Sequence, residues 1–136
     1  MVWDIGGQKL GSRLMIGSAK YPTLEQLIQS IQRSAAEIVT VSLRRSRLKD
    51  KSNSEFLQQI AATGIHFLPN TSGCFSFDEI ITVAEMAREL FETDWVKVEA
   101  IGDDYSLYPD PMILVPVTAE LIKRGFTVFP YTSPDL

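Results

Sequence analysis

The chain carries an ammonium and a carboxylate two residues apart inside an otherwise apolar stretch. In the segment DWVKVEAIGDD, Lys97 and Glu99 alternate with valine and alanine, and the part from Trp95 to Ile101 has the composition of a β-strand. Successive strand side chains alternate between faces, so Lys97 and Glu99 are predicted to share one face. A neutral lysine amine attacks ketones to form a Schiff base, and a neighbouring carboxylate can move the protons that this reaction requires.

The surroundings of that face decide whether the two groups can react. Buried charges are costly and persist mainly when they are paired or when chemistry requires them. An enclosed lysine would have its charged form disfavoured, which makes the reactive amine available. On a wet strand face, however, Lys97 and Glu99 would only increase solubility, and inside a sheet they could form a plain ion pair without a reaction.

Strands are predicted to alternate with helices along the chain. After an opening hairpin around Gly6-Gly7, five apolar segments are predicted strands: 13–17, 37–43, 65–68, 95–101 and 126–130. Capping boxes predict helix starts at Thr23, Ser52 and Ser76, each with Gln or Glu three residues later. The last helix is predicted to start at Asp110 with Pro111 in its first turn, and Pro116 should kink or restart it.

This alternation predicts right-handed βαβ units and a parallel sheet. One candidate architecture is a doubly wound, flavodoxin-like domain, and the other is a TIM-type parallel (β/α)₈ barrel. Barrel strands can direct polar side chains into the lumen, so Lys97 and Glu99 favour the barrel. Residues 1–136 would then be a single incomplete barrel domain, with an N-terminal hairpin and about the first five of eight strand–helix units. Functional groups are expected where strands end, at Gly17 to Ala19, Arg44-Arg45, Asn70-Thr71, Glu99 to Asp104, and Tyr131-Thr132.

Composition argues against several classes of protein. The formal net charge of −4, with 45% hydrophobic and 22% charged residues, is typical of a globular domain and not of a nucleic-acid-binding one. No apolar run is long enough to cross a membrane, and the single cysteine, Cys74, fits a reducing cytoplasm. Solvated or turn roles are favoured over anion or metal binding for Arg44-Arg45 and for Asp103-Asp104.

The order of motifs resembles thiazole synthase of thiamine biosynthesis. The residues that carry this resemblance are SRLMIGSAKYPTLE, AEIVTVSLRR, LPNTSGC, DWVKVEAIGDDYSLYPDP and GFTVFPYTSPD, in that order along nearly the whole chain. The resemblance implies a (β/α)₈ barrel and a transferase-type reaction. In that reaction 1-deoxy-D-xylulose 5-phosphate condenses with dehydroglycine and with sulfur from the thiocarboxylate of a ubiquitin-like sulfur-carrier protein.

The resemblance also implies roles for individual residues. The imine-forming lysine of the family's W-[VL]-K-[LV]-E motif corresponds to Lys97, and the following glutamate, a general acid/base, corresponds to Glu99. No metal or organic cofactor is implied, and a homo-oligomer is expected at full length. Ser18-Ala19 and Ser72 stand where the family usually has Thr-Gly and Ala, which are tolerable departures.

The glycine-rich loops that bind the substrate phosphate in the family have no counterpart before Leu136. We therefore expect the N-terminal part of a thiazole synthase, inactive by itself and prone to aggregate through open sheet edges. The alternative is a catalytically incompetent fragment or degenerate homologue that serves only as a folding or interaction unit.

Overall fold

A computed structural model describes residues 2–43, 51–103 and 105–134, except for the side chains of residues 51–54. The elements in chain order are β1 (Trp3–Ile5), β2 (Gln8–Leu10), β3 (Met15–Gly17), α1 (Leu24–Ser34), β4 (Ile38–Ser42), α2 (Lys51–Ala61), β5 (His66–Asn70), α3 (Phe77–Phe91), β6 (Trp95–Val98), α4 (Pro111–Lys123) and β7 (Thr127–Pro130). None of the described helices is both long enough and apolar enough to span a membrane.

The predicted opening hairpin is confirmed. Strands β1 and β2 pair antiparallel, with Trp3 opposite Leu10. Gly6 and Gly7 both have positive φ, 56° and 81°, which the tight turns that join two strands commonly require. The Asp4 carboxylate accepts a hydrogen bond from the Gly7 N–H at 3.0 Å and closes the turn.

The predicted parallel sheet is also confirmed. Five strands follow one another in the order β3-β4-β5-β6-β7, and the parallel register places Met15 beside Ile38 and Trp95 beside Thr127. A doubly wound sheet reverses its strand order at a switch point, and this order contains no reversal, so the doubly wound alternative is wrong. The sheet is open between β3 and β7 and is consistent with part of a (β/α) barrel; a closed barrel stays a prediction.

Helix starts follow the local sequence. Thr23 and Ser76 accept backbone hydrogen bonds from Gln26 and Glu79, and Asp110 accepts one from Met112, so these three predicted caps are confirmed. Helix α2 begins at Lys51, one residue before the predicted cap Ser52, whose side chain is outside the described set.

Pro116 does not interrupt α4, which runs from Pro111 to Lys123. The expected restart is therefore wrong. Proline removes only the N–H that would donate to the Met112 carbonyl, one bond near the first turn. Both residues are exposed, so water can reach the carbonyl that proline leaves without an intrahelical donor.

The chain divides into two compact units, one of Met1–Val41 with Ser46–Leu68 and the other of Ser42–Arg45 with Pro69–Leu136. In the first unit, Leu27 and Ile31 are the buried residues of α1. The Glu37 carboxylate accepts hydrogen bonds from the N–H groups of Gly11 and Ser12, at 3.0 to 3.1 Å, and so ties the segment after the hairpin to the residue before β4. The organisation of residues 1–136 as one incomplete domain stays a prediction.

In the second unit, helices α3 and α4 cover the same face of β6. A single buried cluster contains Val96, Val98 and Ala100 from β6 and its continuation, Ile80 and Ala84 from α3, and Leu114, Val117 and Leu121 from α4. These strand residues alternate with Trp95, Lys97 and Glu99, which therefore project from the opposite face. The apolar alternation along β6 thus assigns one face to the core and leaves the other to the charged pair.

Candidate functional site

Strand β6 holds Lys97 between two neighbouring strands in the second unit. Lys97 pairs with Asn70 at the end of β5 and with Phe129 in β7. Paired residues of parallel strands share a face, so Asn70, Lys97 and Phe129 lie side by side. The carboxyl ends of parallel strands are where α/β proteins place reactive groups, and Lys97 is next to the last residue of β6.

The two residues predicted to act together form an ion pair. Lys97 Nζ lies 3.1 Å from Glu99 Oε1, and the side chains are 33% and 15% exposed. The spacing of two along an extended chain puts the two side chains on one face, as the sequence predicts. The face is partly enclosed, so the carboxylate is shielded while the amine stays accessible to a small molecule.

Aromatic rings border the amine on the same face. Trp95 is buried, and its ring centroid lies 5.3 Å from that of Phe129. The Lys97 ammonium lies 5.8 Å from the centroid of the Tyr131 ring, within the range of a cation–π interaction. The backbone N–H of Tyr131 donates to the Val98 carbonyl at 2.8 Å, which extends the pairing of β6 and β7 past the strand end. The amine is therefore at the rim of an aromatic patch.

Thr71 holds the backbone of Glu99 and was given no individual role by the sequence. Its hydroxyl accepts a hydrogen bond from the Glu99 N–H at 2.9 Å and donates one to the Glu99 carbonyl at 3.1 Å. Its own N–H donates to the Lys97 carbonyl at 3.1 Å. Thr71 is 0% exposed and is the one buried polar residue among those described. The only signal in the sequence was its place directly after a predicted strand end, in the segment LPNTSGC.

Thr71 is itself held by a tight turn, which it forms with Ser72, Gly73 and Cys74. The Thr71 carbonyl accepts from the Cys74 N–H at 3.1 Å, and Gly73 has a φ of 81°, as the third residue of a type II turn requires. Asn70 Oδ1 accepts from the Ser72 N–H at 3.2 Å, and Cys74 is buried in the core. The hydrogen bonds of this turn thus hold the backbone of Thr71 in a fixed position.

The ends of β5 and β6 differ from the prediction because hydrogen bonds between residues distant in sequence decide where each strand stops. Strand β5 extends past the predicted end at Leu68 to Asn70, and β6 ends at Val98 before the predicted Ile101. Beyond Val98 the chain bonds to its own following loop: the Asp110 N–H donates to the Ala100 carbonyl at 2.8 Å. Residues 99–101 are therefore held by hydrogen bonds and by the bridge between Ile101 and Pro109, although they are outside the strand.

The loop that follows is braced by a carboxylate. Asp103 accepts hydrogen bonds from the hydroxyl and the N–H of Ser106, and these bonds lower the pKa of Asp103 below its ordinary value of 3.8. This agrees with the predicted turn role for Asp103. Asp104 and the pair Arg44-Arg45 lie outside the described residues. Within the described part of the chain, His, Cys, Asp and Glu side chains form no group of three or more suited to a metal ion.

Comparison with known proteins decides the family. The sequence profile described as "Thiazole biosynthesis protein ThiG" matches residues 4–136. The chain belongs to this family. Two curated relatives named "Thiazole synthase" support the assignment. The protein from Coxiella burnetii (strain Dugway 5J108-111) is 45% identical over 135 residues, and the one from Cupriavidus taiwanensis is 46% identical over 132 residues.

This ThiG-family chain spans about half the length of those relatives. The matches cover 99% and 96% of the chain but only 52% and 48% of the two relatives. Among solved structures, the crystal structure of the Amycolatopsis orientalis BexX/CysO complex matches with a TM-score of 0.76 at 19% identity, over 98% of this chain and 54% of the matched chain. At that identity the structural match supports the fold alone.

Proposed function

We propose that the chain contributes the Schiff-base lysine of a thiazole synthase, with Lys97 as the imine-forming residue and Glu99 as its general acid/base. The carrying observation is the 3.1 Å contact between Lys97 Nζ and Glu99 Oε1, at the carboxyl end of β6, a parallel strand paired on both sides, in a ThiG-family chain. Thiamine thiazole biosynthesis is the function of the family. The substrates and the mechanism are our proposal.

The first step of the proposed reaction is the formation of an imine between Lys97 and the substrate ketone, with release of water. Glu99 accepts a proton from the Lys97 ammonium, and the neutral amine attacks the ketone carbon of 1-deoxy-D-xylulose 5-phosphate. A C–N bond forms as the C=O π bond breaks, the carbonyl oxygen takes the proton from Glu99, and the nitrogen gives one back to Glu99 to leave a carbinolamine. Glu99 then protonates the hydroxyl, which leaves as water while the nitrogen lone pair forms the C=N bond of the protonated imine. The contact between the amine and the carboxylate supports this exchange, because it is within the reach that proton transfer requires.

The later steps bring in the other reactants. Dehydroglycine and a thiocarboxylate on the C-terminus of a ubiquitin-like sulfur-carrier protein would supply the remaining ring atoms. The matched crystal structure contains BexX in a complex with a second protein, CysO, and we propose a carrier partner for this family by analogy with that complex. Because the curated relatives are about twice as long, the substrates, the carrier and a homo-oligomeric state are proposed for a protein of their length that contains this chain.

Reductive trapping tests the role of Lys97. The chain is incubated with 1-deoxy-D-xylulose 5-phosphate and borohydride, which converts an imine into a stable secondary amine, and the modified residue is mapped by mass spectrometry. We expect the adduct on Lys97. Lys97→Arg keeps the positive charge beside Glu99 but cannot form an imine, so it should abolish the adduct, whereas Lys123→Arg, at an exposed lysine of α4, should leave it unchanged.

Two outcomes would contradict the proposal. Equal labelling of several lysines would identify the reaction as nonspecific, and an unlabelled Lys97 would remove it as the imine former. The second result would favour the alternative that the chain is a catalytically incompetent fragment or degenerate homologue with only a folding or interaction role.

A further inference from the structure

Glu99 lies beyond the last residue of β6, yet its backbone is held on both sides. A side chain past a strand end is ordinarily free to turn away from its neighbour two residues back. Here the Thr71 hydroxyl bonds both the N–H and the carbonyl of Glu99, at 2.9 and 3.1 Å. The hydroxyl therefore bonds both backbone polar groups of Glu99, as a neighbouring strand would do, and holds the backbone at residue 99 in place.

The same residue also fixes Lys97. The Thr71 N–H donates to the Lys97 carbonyl at 3.1 Å, so one residue bonds the backbones of both members of the ion pair. Thr71 has no freedom of its own, since it is fully buried and its carbonyl closes the turn to Cys74. Three hydrogen bonds from a single buried threonine thus hold the backbones from which the amine and the carboxylate project.

We propose that Thr71 is a positioning residue whose hydroxyl holds Glu99 in proton-transfer reach of Lys97. This inference rests on the proposed function, in which Glu99 exchanges protons with the imine-forming amine. Threonine does not touch the substrate in this role. It acts through Glu99, and small displacements of a proton-transfer partner reduce rates strongly because the heavy atoms must come within about 3 Å.

Two substitutions separate the hydroxyl from the shape of the side chain. Thr71→Ser keeps the hydroxyl, and Thr71→Val keeps the volume but removes it. We expect borohydride-trapped adduct at Lys97 to form within about twofold of the unaltered rate in Thr71→Ser and at least about tenfold more slowly in Thr71→Val. The dependence of that rate on pH should change in Thr71→Val in the same direction as in Glu99→Gln, because the first displaces the carboxylate from the amine and the second removes it.

A double-mutant cycle distinguishes positioning from a general loss of structure. If Thr71 acts through Glu99, adding Thr71→Val to Glu99→Gln slows trapping by less than about twofold. Losses that multiply would show that Thr71 affects the reaction by another route and would overturn the inference.

Amide hydrogen exchange checks the bond itself without any substrate. The Glu99 amide should exchange faster in Thr71→Val, while the Thr127 amide, which donates to the Asp94 carbonyl at 2.9 Å, should stay protected and report an intact sheet. If Thr71→Val loses protection at Thr127, Thr71→Ala is compared in its place, since it leaves room for water at the Glu99 backbone.

The two proposals fail in different ways. An unaltered chain that forms no adduct at Lys97 overturns the proposed function and the role of Thr71 with it. An unaltered chain that forms the adduct, with Thr71→Val equally fast while its Glu99 amide is deprotected, overturns the role of Thr71 alone.

Discussion

Single hydroxyl and carboxylate groups hold much of the loop structure near the strand ends. Thr71 bonds the Glu99 backbone, and Asp103 bonds Ser106 in the loop that follows β6. Both are short side chains that replace missing backbone partners, a common use of threonine and aspartate outside regular structure. At this scale, the backbone of Glu99, the proposed general acid/base, is held by a residue that takes no part in the proposed reaction.

The Asp103 loop should respond to acid. Its carboxyl has a lowered pKa, chiefly because the Ser106 hydroxyl donates to it and secondly because the Ser106 N–H does. A carboxyl with a depressed folded-state pKa stabilises the loop fully above its unfolded value, 3.8, and loses that effect as the pH falls through the lower folded value. NMR titration of the Asp103 carboxyl carbon should therefore give a midpoint below 3.8.

Ser106→Ala should raise that midpoint towards 3.8, because it removes the largest cause of the shift. Ser30→Ala is the matched control, since the Ser30 hydroxyl bonds a carbonyl within α1 and not a carboxylate. An unmoved Asp103 titration in Ser106→Ala would mean that the hydroxyl bond does not set the pKa.

At the scale of elements, α3 and α4 are joined by a polar network at the edge of their shared core. Arg88 Nε lies 3.0 Å from Asp94 Oδ1, and its guanidinium donates to the Arg124 carbonyl at 2.8 Å. The same guanidinium stacks 3.6 Å above the Phe126 ring. Arg88 thus contacts Asp94, directly before β6, and Arg124 and Phe126, on either side of Gly125 before β7. These contacts join the amino-terminal ends of β6 and β7.

Pro116 is expected to lower the stability of α4, because it lacks the N–H that would donate to the Met112 carbonyl. Pro116→Ala restores an N–H that can donate to the Met112 carbonyl, and we expect it to raise the free energy of unfolding by about 1–2 kcal/mol, after the gain in unfolded-chain freedom is subtracted. Urea unfolding should show a higher midpoint at an unchanged slope.

Pro111→Ala is the control within the same helix. Pro111 occupies the first turn, where its missing N–H has no helical partner in any case, so its replacement should give no gain. Equal effects of the two substitutions would contradict the assignment of the cost to the Pro116 hydrogen bond.

At the scale of the molecule, turnover should need more than these 136 residues. The curated relatives are about twice as long. From the family resemblance, we expect the phosphate-binding loops to follow later strands. We expect the purified chain, given the ketose phosphate, dehydroglycine and a thiocarboxylate carrier, to form no thiazole phosphate. Lys97 should still be trapped at high ketose concentration.

A full-length thiazole synthase assayed in parallel controls for the substrates and the carrier. Thiazole phosphate formed by the chain alone, and lost in Lys97→Arg, would contradict this expectation and would place the whole reaction on the residues present here.

Local interactions made much of this structure predictable. The Gly6-Gly7 turn and the caps at Thr23, Ser76 and Asp110 involve partners only a few residues away, so short motifs identify them. The facing of Lys97 and Glu99 followed from the two-residue period of an extended chain. The shared core of α3 and α4 could not be read from the sequence, because its members are distributed over two helices, β6 and residues outside the strands.

The sequence by itself determined the alternation of strands and helices, the family, and the two charges on one face of β6. Only the tertiary structure decided the order of the strands, the ends of β5 and β6, and the hold of Thr71 on Glu99. The physical reason is sequence separation: Thr71 and Glu99 are 28 residues apart, and their hydrogen bonds exist only once β5 and β6 have paired. The spacing of Lys97 and Glu99 is a local property of the sequence, whereas the hydrogen bonds that hold Glu99 form only in the folded sheet.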